Sequence, residues 1–159
     1  MCPQCERRPP EVLCRQARAY RRTDVPRGRA AVRLDPVRSL RVRGLIAQCI
    51  ETGLGPNFVR ALGHPLPLLY LHHPERGSVA VARVRQAAVY LAHVACGLSF
   101  AEAGRLYGRD RSTAAHACRI IEDGRDEAAF DRLLGALEAA VRLGLRQVDP
   151  WLAERAPRR

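Results

Sequence analysis

The stretch YGRDRSTAAHACR, residues 107–119, concentrates side chains able to touch another molecule. Arg109, Arg111 and Arg119 offer guanidinium donors, Ser112 and Thr113 hydroxyls, His116 an imidazole, and Asp110 a carboxylate. Wound as a helix, Arg111, Ser112, Ala115, His116 and Arg119 share one side, while Ala114, Ala117, Cys118 and Ile121 share the other. The second set belongs against a core, and its small residues permit a close neighbour. The first set is a thin polar face. Its donors match guanine O6 and N7 or phosphate, methyls of Thr and Ala match the thymine methyl, and Ala115 lets the backbone enter a major groove. Asp110 fits a helix N-cap that also accepts from cytosine N4 or steadies an arginine. Amides of the first turn add attraction for phosphate. This is the chemistry of recognition, not catalysis, and no Ser, His and Asp set supports an enzyme.

Other reactive residues fit less well. Cys2-x-x-Cys5 with Cys14 suggests zinc, but a tetrahedral site needs a fourth ligand and the nearest histidine is His64. His72 and His73 are adjacent, so on a helix they diverge by about 100°. Cys49, Cys96 and Cys118 read as small buried residues. The expectation is no cofactor and no resident metal, with Cys2, Cys5 and Cys14 as the alternative ligands.

Charge indicates the partner. The 159 residues hold 27 basic side chains, all arginine, against 16 acids, for a formal charge of +11, and the pI is about 10.6. Such a balance points to a polyanion, nucleic acid before membrane. It is uneven: residues 1–44 hold twelve arginines against four acids. With Pro3, Pro9, Pro10 and Pro26 and little apolar periodicity, that end reads as a basic disordered arm. MCPQCERRPP lacks the apolar core of a secretory signal. PLPLLYL, residues 65–71, falls far short of the roughly 20 apolar residues of a membrane span. The expected setting is cytoplasmic and nucleoid-associated, with reduced thiols.

The elements that must position the polar face follow from caps and periodicity. Asp35-Pro36 opens a helix whose stripe is Val42, Leu45, Ile46, Cys49 and Ile50, with Gly53 as its stop and Asn57 capping a short helix through Leu62. Residues 64–73 stay ambiguous. From Ser78 a helix presents Val81, Val84, Ala88, Leu91 and Ala95, and Gly97 ends it. Ser99-x-x-Glu102 is a capping box for a helix to Tyr107. Gly108 and Arg109 turn the chain, and Asp110 caps a helix to about Asp123. Phe130, Leu133, Leu134, Leu137, Ala140, Val141 and Leu145 form a closing amphipathic helix, and Asp149-Pro150 begins a short last one carrying Trp151. Two helices around a tight glycine turn make a helix-turn-helix signal. The predicted layout is an arm at 1–34, a helical extension at 35–75, a DNA-binding domain at 76–147 and a terminal helix and tail at 148–159.

Residues 76–123 resemble the C-terminal DNA-binding domain of the bacterial replication initiator DnaA. The matches are Arg83-x-Arg85-Gln86, Leu91-Ala92, Ser99-x-x-Glu102-x-Gly104 and Arg109-Asp110-x-x-Thr113-x-x-His116-Ala117. The resemblance implies an all-α helix-turn-helix bundle behind the basic, partly disordered arm. It places Asp110, Arg111, Ser112, Thr113 and His116 at bases in the major groove, where the outward face adds Arg119. It places Arg85 and Gln86, with Arg83 and Arg109, at phosphates, Phe100 and Ala101 near another phosphate, and Arg76 in a loop toward the minor groove. Arg111 stands where the family has histidine, His93 where it often has lysine, and Gly77 and Val79 where arginines are common. The turn Tyr107-Gly108-Arg109-Asp110 is one glycine shorter than usual. DnaA initiators carry a G-x-x-x-x-G-K-[ST] phosphate loop, and this lysine-free sequence has none. The implied function is sequence-specific binding of double-stranded DNA to regulate transcription or replication initiation, without ATPase chemistry. The alternative is an adaptor that binds a protein of the replication or transcription machinery and has only nonspecific affinity for DNA.

Overall fold

The computed structural model describes residues 34–61 and 79–156. The arm up to residue 33, with Cys2, Cys5 and Cys14, lies outside the described residues, as do His64, His72, His73 and Arg76. Leu34, assigned to the arm, packs partly buried against the core.

Among the described residues six α-helices follow in order: α1 Pro36–Ala61, α2 Val79–Val94, α3 Phe100–Leu106, α4 Arg111–Asp123, α5 Ala128–Val148 and α6 Pro150–Arg155. A 3-10 turn, Gly124–Asp126, joins α4 to α5, and the described residues hold no strand. This is an all-α helix-turn-helix bundle. Val42, Ile46 and Ile50 of α1 share one apolar cluster with Ala88, Leu91 and Ala92 of α2, Ala114 and Ile121 of α4, and Leu134, Val141 and Leu145 of α5. The N-terminal extension thus contributes to the same core as the helix-turn-helix.

The expected break at Gly53 does not occur. α1 runs through Gly53, Pro56 and Asn57 to Ala61, so Asn57 caps no separate helix. Gly53 lies against α5, where an added Cβ would come within 2.6 Å of Leu137 Cδ2. Its lack of a side chain leaves room for Leu137 at a cost of about 1 kcal/mol of helix propensity. Gly144 of α5 is its counterpart, lying under Leu45 of α1. At the other end Asp35 does cap α1, its Oδ1 accepting the Arg38 amide at 2.8 Å.

α6 is capped as the sequence indicates, with Asp149 Oδ1 accepting from Leu152 N–H at 3.0 Å. The side chain that anchors it is Leu152, which is buried, whereas Trp151 remains 42% exposed. Guanidinium carbons of Arg38 and Arg155 lie 4.6 and 4.9 Å from the Trp151 ring centre. Arg38 also meets Asp149 at 3.3 Å, tying α1 to α6.

Candidate nucleic-acid interface

The helix-turn-helix corner is built from local bonds. Gly97 leaves α2 at φ 69°, a conformation that favours glycine. Ser99 and Glu102 complete the capping box: the Ser99 amide donates to Glu102 Oε2 at 2.7 Å and the Glu102 amide to Ser99 Oγ at 3.3 Å. His93 is buried, donates from Nδ1 to the Leu98 carbonyl at 2.6 Å, and stacks on Phe100 with ring centres 4.1 Å apart. His93 and Phe100 therefore brace the α2–α3 connection.

Gly104 decides how closely α3 meets α4. A Cβ there would sit 2.7 Å from the Arg109 carbonyl oxygen and 2.8 Å from that of Asp110. Backbone cannot yield as a flexible side chain can, so the corner needs glycine here. The Arg109 amide donates to the Gly104 carbonyl at 2.8 Å, and Gly108 takes φ 65° between them. One left-handed residue is enough to close the turn.

α4 then divides as the periodicity requires. Ala114, Ala117, Cys118 and Ile121 are buried, while Arg111, Ser112, Thr113, His116 and Arg119 are exposed and Ala115 is half-buried. Small residues on both helices, Ala88 and Ala92 of α2 and Ala114 and Ala117 of α4, belong to the shared core and let these helices pack closely. Burial pushes the Cys96 and Cys118 thiols up to about 12, consistent with inert core residues.

Asp110 is the N-cap, with more partners than a cap requires. Its Oδ1 accepts from Ser112 Oγ at 2.6 Å and from the Thr113 amide at 2.7 Å, and its Oδ2 accepts from Thr113 Oγ1 at 2.8 Å. Those bonds, led by that of Ser112, hold its carboxyl well below the usual carboxylate range. Of the first-turn amides, that of Thr113 is taken by Asp110.

The C-terminal end of α4 is fixed by a buried polar cluster that periodicity did not reveal. Glu138 of α5 is 4% exposed. Its Oε1 accepts from Tyr90 Oη of α2 at 2.8 Å and from Arg125 Nη1 at 2.7 Å, and its Oε2 from Arg142 Nη2 at 3.0 Å. Arg125, in the turn that follows α4, also bonds Tyr90 and meets Asp131 at 2.7 Å. Burial alone would push the Glu138 carboxyl up, but the bonds from Arg125, Tyr90 and Arg142 hold it below its ordinary value. The available signal was an acid at helical spacing inside the apolar stripe, Leu134, Leu137, Glu138, Val141, where unpaired burial would be costly.

The remaining cations separate. Arg83 is exposed on α2, Gln86 and Arg109 are half-buried, and Arg85 is only 8% exposed. Burial first, and the charge of Arg109 second, pull the Arg85 guanidinium below its ordinary pKa. Of the residues expected at phosphates, Arg83 is the open one and Arg85 lies largely inside. Among the described residues no group of three His, Cys, Asp or Glu side chains is arranged for a metal, and no helix is long and apolar enough to cross a membrane.

The exposed face of α4, held behind a glycine corner, invites comparison with known DNA readers. Residues 73–121 match the bacterial DnaA protein helix-turn-helix family. Neither a curated protein nor a solved structure matches the chain. The match spans a little under a third of the 159 residues and takes in α2, α3 and nearly all of α4. Over these residues the protein is similar to the DnaA C-terminal domain, and that likeness implies binding to double-stranded DNA. In helix-turn-helix proteins the second helix of the motif is the one that enters the major groove, and α4 holds that place in this chain.

Proposed function

We propose that the protein is a site-specific binder of double-stranded DNA that regulates transcription or replication initiation, working in the nucleoid without ATPase chemistry. One observation carries this reading: a slender helix, buried through alanines, turns Arg111, Ser112, His116 and Arg119 outward from a corner fixed at both ends. An exposed face of guanidinium, hydroxyl and imidazole groups suits base edges, whereas protein interfaces favour large aromatic anchors. In this reading Asp110, Arg111, Ser112, Thr113, His116 and Arg119 meet the major groove. Arg76, Arg83, Arg85, Gln86 and Arg109 serve phosphate or the minor groove, Arg83 most openly. The arginine-rich residues 1–34 add attraction that does not depend on sequence.

The test is selection of bound duplexes from a random pool, followed by gel shift against excess unrelated DNA. The expected result is a recurrent sequence whose complex survives competitor. A smear of unselected duplexes, all displaced alike, would favour the adaptor with only nonspecific DNA affinity.

A further inference from the structure

The bonds among Asp110, Ser112 and Thr113 have a direction. A carboxylate has no proton to give, so both hydroxyls must be the donors, Ser112 to Oδ1 at 2.6 Å and Thr113 to Oδ2 at 2.8 Å. Each hydroxyl has a single proton and commits it to Asp110. What Ser112 and Thr113 still present outward is lone pairs. All three residues are exposed.

Thr113 is held twice, through its amide and its hydroxyl, both to Asp110. Ser112 is tethered to Asp110 and lies on the side of α4 that carries His116 and Arg119, four and seven residues on. In the major groove, adenine and cytosine carry an amino group where guanine and thymine carry a carbonyl oxygen. A freely rotating serine hydroxyl accepts from one and donates to the other. A hydroxyl locked onto a carboxylate accepts from the amino group but meets the carbonyl oxygen lone pair to lone pair.

We infer that the lock formed by Asp110 makes Ser112 an acceptor-only reader, selecting amino bases (adenine or cytosine) over keto bases (guanine or thymine) at one position of the bound duplex. Arg111 and Arg119 are donors of the opposite preference, so the helix pairs one polarity filter with the other. This deepens the proposed function and rests on α4 facing the groove.

The test uses the full chain and the duplex enriched by selection. Ser112→Ala retains both Thr113 bonds to Asp110, so the cap survives; circular dichroism checks that the variant folds. Ser112→Ala loses its preference at one position, and the wild-type base there is adenine or cytosine. Replacing that base by purine or 2-pyrimidinone, which lack the amino group, weakens wild-type binding roughly three- to tenfold, the range of one neutral hydrogen bond. The same replacement leaves Ser112→Ala binding unchanged. A lost preference for guanine or thymine, or an equal effect of the analogue on both proteins, overturns the inference. Should the variant fail to fold, the wild type is measured with each amino base of the site replaced in turn; selective binding with no sensitive position also overturns it. Equal affinity for all duplexes fails the wider reading instead, and takes this inference with it.

Discussion

At the scale of single residues, the proposed function assigns reading and anchoring to two different arginines. Arg111 is exposed at the first position of α4, where recognition helices meet bases. Arg111→Ala is expected to cost about 1–3 kcal/mol on the preferred duplex and to relax choice at one position. Arg83→Ala, on α2, is expected to weaken preferred and shuffled duplexes alike. Fluorescence anisotropy on both duplexes checks the pair, and identical profiles for the two variants would refute the division of roles. Much of this was legible in the sequence: the buried and exposed sides of α4 fall where a 3.6-residue period puts them, and Asp110 caps. The burial of Arg85 was not legible, because it depends on which elements pack against α2. The same holds for His93, whose bond to the Leu98 carbonyl exists only once Gly97 has turned the chain.

At the scale of elements, the corner and the cluster around Glu138 hold α4 at its two ends. Gly104→Ala places a Cβ against two backbone carbonyls, and overpacking of this kind costs about 1–3 kcal/mol. Its melting temperature is expected to fall and its DNA affinity to fall with it; an unchanged melt would show that the corner tolerates a side chain. Glu138 sets a pH dependence. Its folded carboxyl titrates below its unfolded value of about 4.3. Its contribution to stability is therefore fully present above that value and lost as pH falls through the folded one. Thermal melts should be flat, as far as this group is concerned, from about pH 5 to 7 and should drop below about pH 4. Glu138→Gln should lower stability at pH 7 by about 3 kcal/mol, since it leaves two guanidiniums with a neutral partner. It should also shallow the acid drop; an acid limb as steep as that of the wild type would mean that other carboxyls govern it. Capping residues announced the starts of α1, α3, α4 and α6 because caps are local chemistry. The course of α1 was missed because Gly53 reads as a stop until Leu137, far along the chain, is known to lie against it.

At the scale of the whole molecule, α1 and α5 form the support on which the DnaA-type unit sits, and the arginine-rich front end adds charge to it. Each phosphate neutralised steepens the dependence of log affinity on log salt by about 0.9. Removing residues 1–33, which hold nine of the arginines, is expected to flatten that slope while leaving base preference intact. An unchanged slope would mean that the front end does not meet DNA. The account stands most directly on the ratio of affinities for the selected duplex and for a shuffled duplex of the same composition, measured by anisotropy at one fixed salt concentration. It predicts that the full chain prefers the selected duplex by about a thousandfold or more and that Arg111→Ala reduces this ratio. A ratio near one, unchanged by Arg111→Ala, would contradict it.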